Sequence, residues 1–217
     1  MNLRIGVIGD SISSRNNGCT SQSWPALLDS LIKSLGVYNI DVRGYAIPGL
    51  GWKTAHVATD GYLIGKRLPP VAAAIEDGCS MLIVCLGAND RQNPNAVAEA
   101  LAMKAAMPSV PIHLVQQSMY DSNGVNDCIV TLQEQQAMDT VYAALGWDGY
   151  AVKLWKLYDM EYTYDHLHPN DSGKTWIASS TYMYLQDILP LTPISRNVAW
   201  LWNQTPEVRE QMRKANS

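Results

Sequence analysis

Met81-Leu82-Ile83-Val84-Cys85-Leu86 is apolar at every position, and Gly87-Ala88-Asn89-Asp90 follows it directly. A strand with one wet face alternates polar and apolar residues. A run apolar on both faces marks a central strand of a parallel sheet, covered by helices on each side. The flanking sequence supplies those partners. Upstream, Leu3–Gly9 (LRIGVIG) reads as a strand ending at Gly9-Asp10-Ser11. Trp24, Leu27, Leu28, Leu31, Ile32 and Leu35 then recur at helical spacing, with Ser23 as cap, Pro25 in the first turn and Gly36 at the end. Val37–Tyr45 reads as a second strand, Ile47–Trp52 as a loop and Pro70–Asp77 as a helix. Downstream, Ala96–Met107 is an Ala-rich helix stopped by Pro108, and Val110–Val115 is a fourth strand. Ile129–Leu145 is a helix ended by Gly146, Tyr150–Leu157 a fifth strand, and Asp171–Leu189 the last long helix, with Ile177, Thr181, Tyr184, Leu185 and Ile188 on one face. Such alternation predicts right-handed crossovers and a doubly wound α/β fold with a five-stranded parallel sheet. Residues 1–190 form that domain, and 191–217 are expected to pack on it as a tail, with a short helix begun by Thr205-Pro206.

Composition narrows the function. The 217 residues are 47% hydrophobic and 17% charged, enough to bury one substantial core. A net charge of −4 argues against nucleic acid, whose phosphates call for a clustered basic face. No apolar stretch reaches the roughly 18–20 residues of a membrane span, and the N-terminus shows no secretory pattern. A cytoplasmic location is the default expectation, with secretion after loss of a signal as the alternative. The four cysteines, Cys19, Cys79, Cys85 and Cys128, lack zinc-site or CxxC spacing and are expected to be reduced. Phe is absent, so 7 Trp and 11 Tyr supply every aromatic ring.

In doubly wound folds, ligands bind beyond the carboxyl ends of the strands. Gly9-Asp10-Ser11-Ile12-Ser13 occupies that position after the first strand, but it lacks the second Gly of a Gly-x-Ser-x-Gly elbow. Ile47-Pro48-Gly49-Leu50-Gly51-Trp52 follows the second strand, and Gly87-Ala88-Asn89-Asp90 the third. A glycine lets a backbone N–H approach a ligand closely, and an Asn side chain can donate to an oxyanion. Taken singly, each reads equally well as a turn. Near the other end stands Asp165-His166-Leu167-His168-Pro169-Asn170. One turn brings the Asp165 carboxylate onto the His168 imidazole, fixing its tautomer and stabilising the imidazolium. Asp165, His166 and His168 also make a partial zinc set, but no nearby His or Cys completes it. Gly173-Lys174-Thr175 resembles the end of a phosphate-binding loop, but His168 stands where that motif needs its leading Gly.

GDSIS, IPGLGW, GAND and DHLHPNDSG, in that order, resemble the four conserved blocks of the SGNH (GDSL-type) hydrolases across roughly residues 4–189. The resemblance implies a three-layer α/β/α sandwich, a Ser11–His168–Asp165 triad, an oxyanion hole including Gly49 and Asn89, and no cofactor or metal. Leu50-Gly51 stands where the family carries an acidic-Thr pair, which makes Gly51 a second candidate for the glycine donor; Ile47-Pro48 favours Gly49. The expected chemistry is serine ester hydrolysis through an acyl-enzyme, with short-acyl esters, possible carbohydrate esters among them, as substrates. Lipase, lysophospholipase and thioesterase activities are the alternatives within the family, and a binding domain that keeps the fold but has lost activity is the rival from a different functional class. Trp52, Tyr120, Tyr162 and Tyr164 sit in the loops expected to frame the site, with the linked Asp121-Ser122-Asn123 loop beside them. Rings with an apolar face and polar edge suit stacking on a sugar, and Trp52 is the expected substrate-binding residue.

Overall fold

The computed structural model describes residues 3–14, 22–57, 68–107, 110–117, 119–120, 130–146, 150–154, 161–189 and 191. Strands β1 (Leu3–Gly9), β2 (Ile40–Ala46), β3 (Met81–Cys85), β4 (Ile112–Gln117) and β5 (Tyr150–Leu154) form one sheet in the order β2-β1-β3-β4-β5, every pairing parallel. Every residue of β3 is buried, as its unbroken apolar run requires. Helices α1 (Trp24–Ser34) and α6 (Asp171–Ile188) pack together in one layer. Helices α2 (Trp52–His56), α3 (Pro70–Glu76), α4 (Ala96–Ala105) and α5 (Leu132–Leu145) form the other. The result is an α/β/α sandwich. Ile5, Val7, Ile8, Ile83 and Val84 form the centre of its core, with Trp24 and Leu28 from α1 and Ile177 and Leu185 from α6.

Three departures from the sequence reading matter for the site. A short helix, α2, starts at Trp52, where a loop is expected. The sequence signal was weak because five residues cannot establish a helical period. Strand β2 begins at Ile40 and not Val37, since Gly36 adopts a left-handed conformation (φ 81°) and the chain needs several residues to regain the sheet. Strand β4 runs two residues past Val115, placing Gln116 and Gln117 inside the ladder. Their side chains are 4% and 0% exposed, so both are polar groups in the core.

Leu191 packs against the core at 8% exposure. Cys79 and Cys85 are free thiols. Cys19, Cys128, the Asp121-Ser122-Asn123 loop and the tail from 192, including Thr205-Pro206, lie outside the described residues. Among those described, no helix is long and apolar enough to cross a membrane.

Candidate active site

The strand order reverses between β1 and β3, and in doubly wound sheets that switch point opens a crevice at the carboxyl edge. Ser11 follows β1 and Asn89 follows β3, so the two flank it. After Gly9 the chain turns at once: Ser13 N–H donates to Asp10 O (3.1 Å) and Ser14 N–H to Ser11 O (3.3 Å). The Asp10 side chain is wholly buried beneath this turn. Its Oδ1 accepts Ile12 N–H at 2.9 Å and its Oδ2 accepts Gln117 Nε2 at 3.0 Å. Burial raises its pKa to about 6, against the opposing pull of Gln117, Ile12 N–H and the His168 charge.

His168 comes from a short closed loop ahead of α6. Thr163 and Pro169 bridge across it, Tyr164 N–H donates to His168 O (3.2 Å), and Asn170 N–H donates to Tyr162 O (2.9 Å). Asn170 then caps α6 by accepting Gly173 N–H at 3.0 Å, while its Nδ2 donates to Glu161 O and Thr163 O. Inside the loop, Asp165 Oδ2 lies 2.6 Å from His168 Nδ1, and Asp165 Oδ1 accepts the N–H groups of Leu167 (3.1 Å) and His168 (2.7 Å). Burial alone would raise the Asp165 pKa, but these donors and the imidazole together hold it below the ordinary carboxylate value. His168 Nε2 lies 3.0 Å from Ser11 Oγ. Asp165, His168 and Ser11 therefore form one hydrogen-bonded chain, and both nitrogens of His168 are engaged within it. Among the described residues, no cluster of His, Cys, Asp or Glu could hold a metal ion.

The two remaining loops are tied to each other. Asn89 Nδ2 donates to Leu50 O at 3.0 Å, which fixes the amide plane and leaves its second hydrogen to point elsewhere. Asp90 Oδ2 accepts Trp52 N–H at 2.8 Å at the start of α2. Gly49 has φ 79°, and its N–H has no partner among the described residues. Gly51 N–H, in contrast, already donates to Thr54 Oγ1 at 2.9 Å. Among the described residues, Gly49 is the one of the two glycine candidates whose N–H has no partner.

Trp52 does not face a substrate. It is 1% exposed and meets Tyr142 edge-on with ring centroids 6.3 Å apart, because α2 turns it into the core. This corrects the expectation that it stacks on a sugar. Tyr162 is also buried (7%) and packs on Trp176, whereas Tyr120 is half-buried. Tyr164 remains 40% exposed and lies nearly parallel to the His168 ring, with centroids 5.7 Å apart. Of the described loop rings named above, it is the most exposed.

Gln117, Asp90 and Tyr142 were not read from the sequence as parts of the site. Tyr142 accepts Gln117 N–H (3.1 Å) and donates to Leu86 O (2.9 Å) directly under Gly87. Gly87 has φ 144°, and a Cβ there would lie 2.4 Å from the Tyr142 hydroxyl, so only glycine fits. The available signals were the Gln116-Gln117 pair at the end of β4 and, for Asp90, its place in the GAND block.

No family model matches the chain, and no curated protein matches it. Solved structures do. TesA superposes with a TM-score of 0.62 at 19% identity over 86% of this chain and 99% of TesA. A Clostridium thermocellum family 3 carbohydrate esterase gives 0.58 at 18% identity, over 88% of this chain and 98% of its own. A lipase/acylhydrolase from Enterococcus faecalis gives 0.59 at 17%, over 89% and 99%. The fold is that of the SGNH hydrolases. The segments to compare in this chain are the turn after β1, the loops after β2 and β3, and the loop before α6. Here those segments carry Ser11, Gly49, Asn89 and the Asp165–His168 pair.

Proposed function

We propose that the protein is a serine ester hydrolase that works through an acyl-enzyme without a cofactor. The hydrogen-bonded chain from Asp165 through His168 to Ser11 carries this reading. Ser11 Oγ attacks the ester carbonyl carbon while His168 Nε2 takes its proton. The same nitrogen then returns that proton to the leaving alcohol as the C–O bond breaks. Water, deprotonated by His168, attacks the acyl-Ser11 ester; His168 returns that proton to Ser11 Oγ as the acyl C–O bond breaks, and the carboxylic acid leaves. Asp165 holds His168 in the tautomer that presents Nε2 to Ser11, and stabilises the transient imidazolium. Gly49 N–H, the second hydrogen of Asn89 Nδ2 and Ser11 N–H serve the tetrahedral oxyanion, each donor contributing roughly 3–4 kcal/mol.

The proposed substrates are short-acyl esters, acetyl above all, with carbohydrate esters among them. The exposed Tyr164 ring beside His168 supports this, since it lies where a leaving group departs and offers an apolar face with a polar edge. The likeness to a carbohydrate esterase agrees with it. The test is turnover across a C2–C10 ester series, an acyl-CoA thioester and an acetylated oligosaccharide. Preference for acetyl, weakened in Tyr164→Ala with Ser11 labelling by a serine-directed phosphonate intact, supports the proposal. Turnover that climbs to C10 while the acetylated sugar is untouched transfers the protein to the lipase side of the fold.

A further inference from the structure

Gln117 ends β4 completely buried, and its carboxamide has partners in two different loops. Nε2 donates to Asp10 Oδ2 at 3.0 Å, and Oε1 accepts Ala88 N–H at 2.7 Å. The orientation is forced. A backbone N–H can only donate and a carboxylate can only accept, so a flipped amide would lose both bonds. The residue itself is anchored: its N–H donates to the Tyr142 hydroxyl, and its carbonyl oxygen receives Gln135 Nε2 at 3.4 Å. Asp10 immediately precedes Ser11, and Ala88 immediately precedes Asn89.

We propose that Gln117 is a positioning residue whose carboxamide clips the Asp10–Ser11 turn to the Ala88–Asn89 turn, holding nucleophile and oxyanion donor in one register. This rests on the catalytic reading of Ser11 and Asn89 given above. Gln117 itself touches no reacting atom. Its effect is geometric, and displacements of about 1 Å at a reacting centre cost rates on the order of 10²-fold. A second effect is electrostatic. Among the described residues no cationic group contacts the buried Asp10 carboxylate, and the Gln117 and Ile12 donors sustain its charge.

Two variants test the clip. Gln117→Met keeps the length and removes both bonds. Its kcat on an acetyl ester should fall about 10–100-fold with KM within about twofold, and phosphonate labelling of Ser11 should slow in parallel. Gln117→Glu keeps an acceptor for Ala88 N–H but faces Asp10 with a second carboxyl. The other groups around it are Cys85 Sγ, 3.5 Å from Nε2, the Tyr142 hydroxyl, and His168 acting through its charge on Asp10. A single proton shared by the two carboxyls restores the missing donor. The Glu variant should therefore lose activity as pH rises and that proton leaves, a descending limb that the wild type lacks. Should the Met variant not fold, the Glu profile decides. A Met variant with kcat within twofold of wild type, or a Glu profile that superimposes on the wild-type one after scaling, overturns the clip. If the wild type hydrolyses no ester, the catalytic reading fails, and exchange of the Ala88 amide hydrogen then judges the clip alone. Acceleration of at least about tenfold in Gln117→Met upholds it, and an unchanged rate overturns it.

Discussion

Asp90 Oδ2 accepts the backbone N–H of Trp52 at 2.8 Å, and the space between them is closed to any side chain at position 51. A Cβ on Gly51 would lie 2.7 Å from that same Oδ2. Gly51→Ala therefore acts by pushing Asp90 off Trp52, whereas Gly49→Ala acts through a φ of 79° that costs an L-residue about 1–2 kcal/mol. Gly51→Ala and Asp90→Ala should be strongly non-additive, the double variant being no less stable than Asp90→Ala alone. Thermal or urea unfolding of the four proteins measures the coupling. Additive losses would show that Gly51 is needed for another reason.

Ser11→Ala should fold normally and lose ester hydrolysis by about 10⁴–10⁶, because members of a triad act as a unit. Covalent labelling by a phosphonate should vanish with it. Near-wild-type turnover would place the nucleophile elsewhere.

Asn89→Ala should lower kcat by about 10²–10³ with KM nearly unchanged, since the contact to the oxyanion matures in the transition state. The variant also breaks the tie to Leu50 O, so a modest stability loss of about 1 kcal/mol accompanies it. An effect confined to KM would make Asn89 a ground-state binding group.

Asp10 gives the protein a pH dependence of unusual sign for a carboxylate. Its folded pKa of about 6 lies above the ordinary carboxylate value of 3.8, so the folded state holds its proton more tightly than the unfolded chain. The stability it contributes is complete below about pH 4 and lost as pH rises to about 6, roughly 3 kcal/mol in all. Asp165 works in the opposite direction: its lowered pKa favours the folded state above the ordinary carboxylate range and loses that contribution as pH falls. Stability of wild type relative to Asp10→Asn, measured by denaturant unfolding from pH 4 to 7, should decline by that amount. A flat difference would show that Asp10 titrates normally.

The fold could be read from the sequence because its strongest signals are local. Met81–Cys85 is apolar throughout, and the spacing from Trp24 to Leu35 admits one helical face. The pairing of Asp165 with His168 was equally accessible, since it is closed within one loop. The rest depends on contacts far apart in the chain. Gln117 reaches Asp10 across 107 positions and Ala88 across 29, and no pattern of neighbours announces either bond. Trp52 misled for the converse reason. A Trp at a loop end looks available, and only the short helix that starts there, with Tyr142 waiting opposite, turns it inward.

On the proposed mechanism, the acid–base pair is a cassette. Asp165 and His168 take their mutual geometry from the loop that Thr163, Pro169 and Asn170 close. Drift in the surrounding surface can therefore carry the loop as one piece, changing which leaving groups fit beside it while the proton-transfer unit stays tuned. Diversification of substrate then becomes a matter of where the cassette is mounted, separable from how it works.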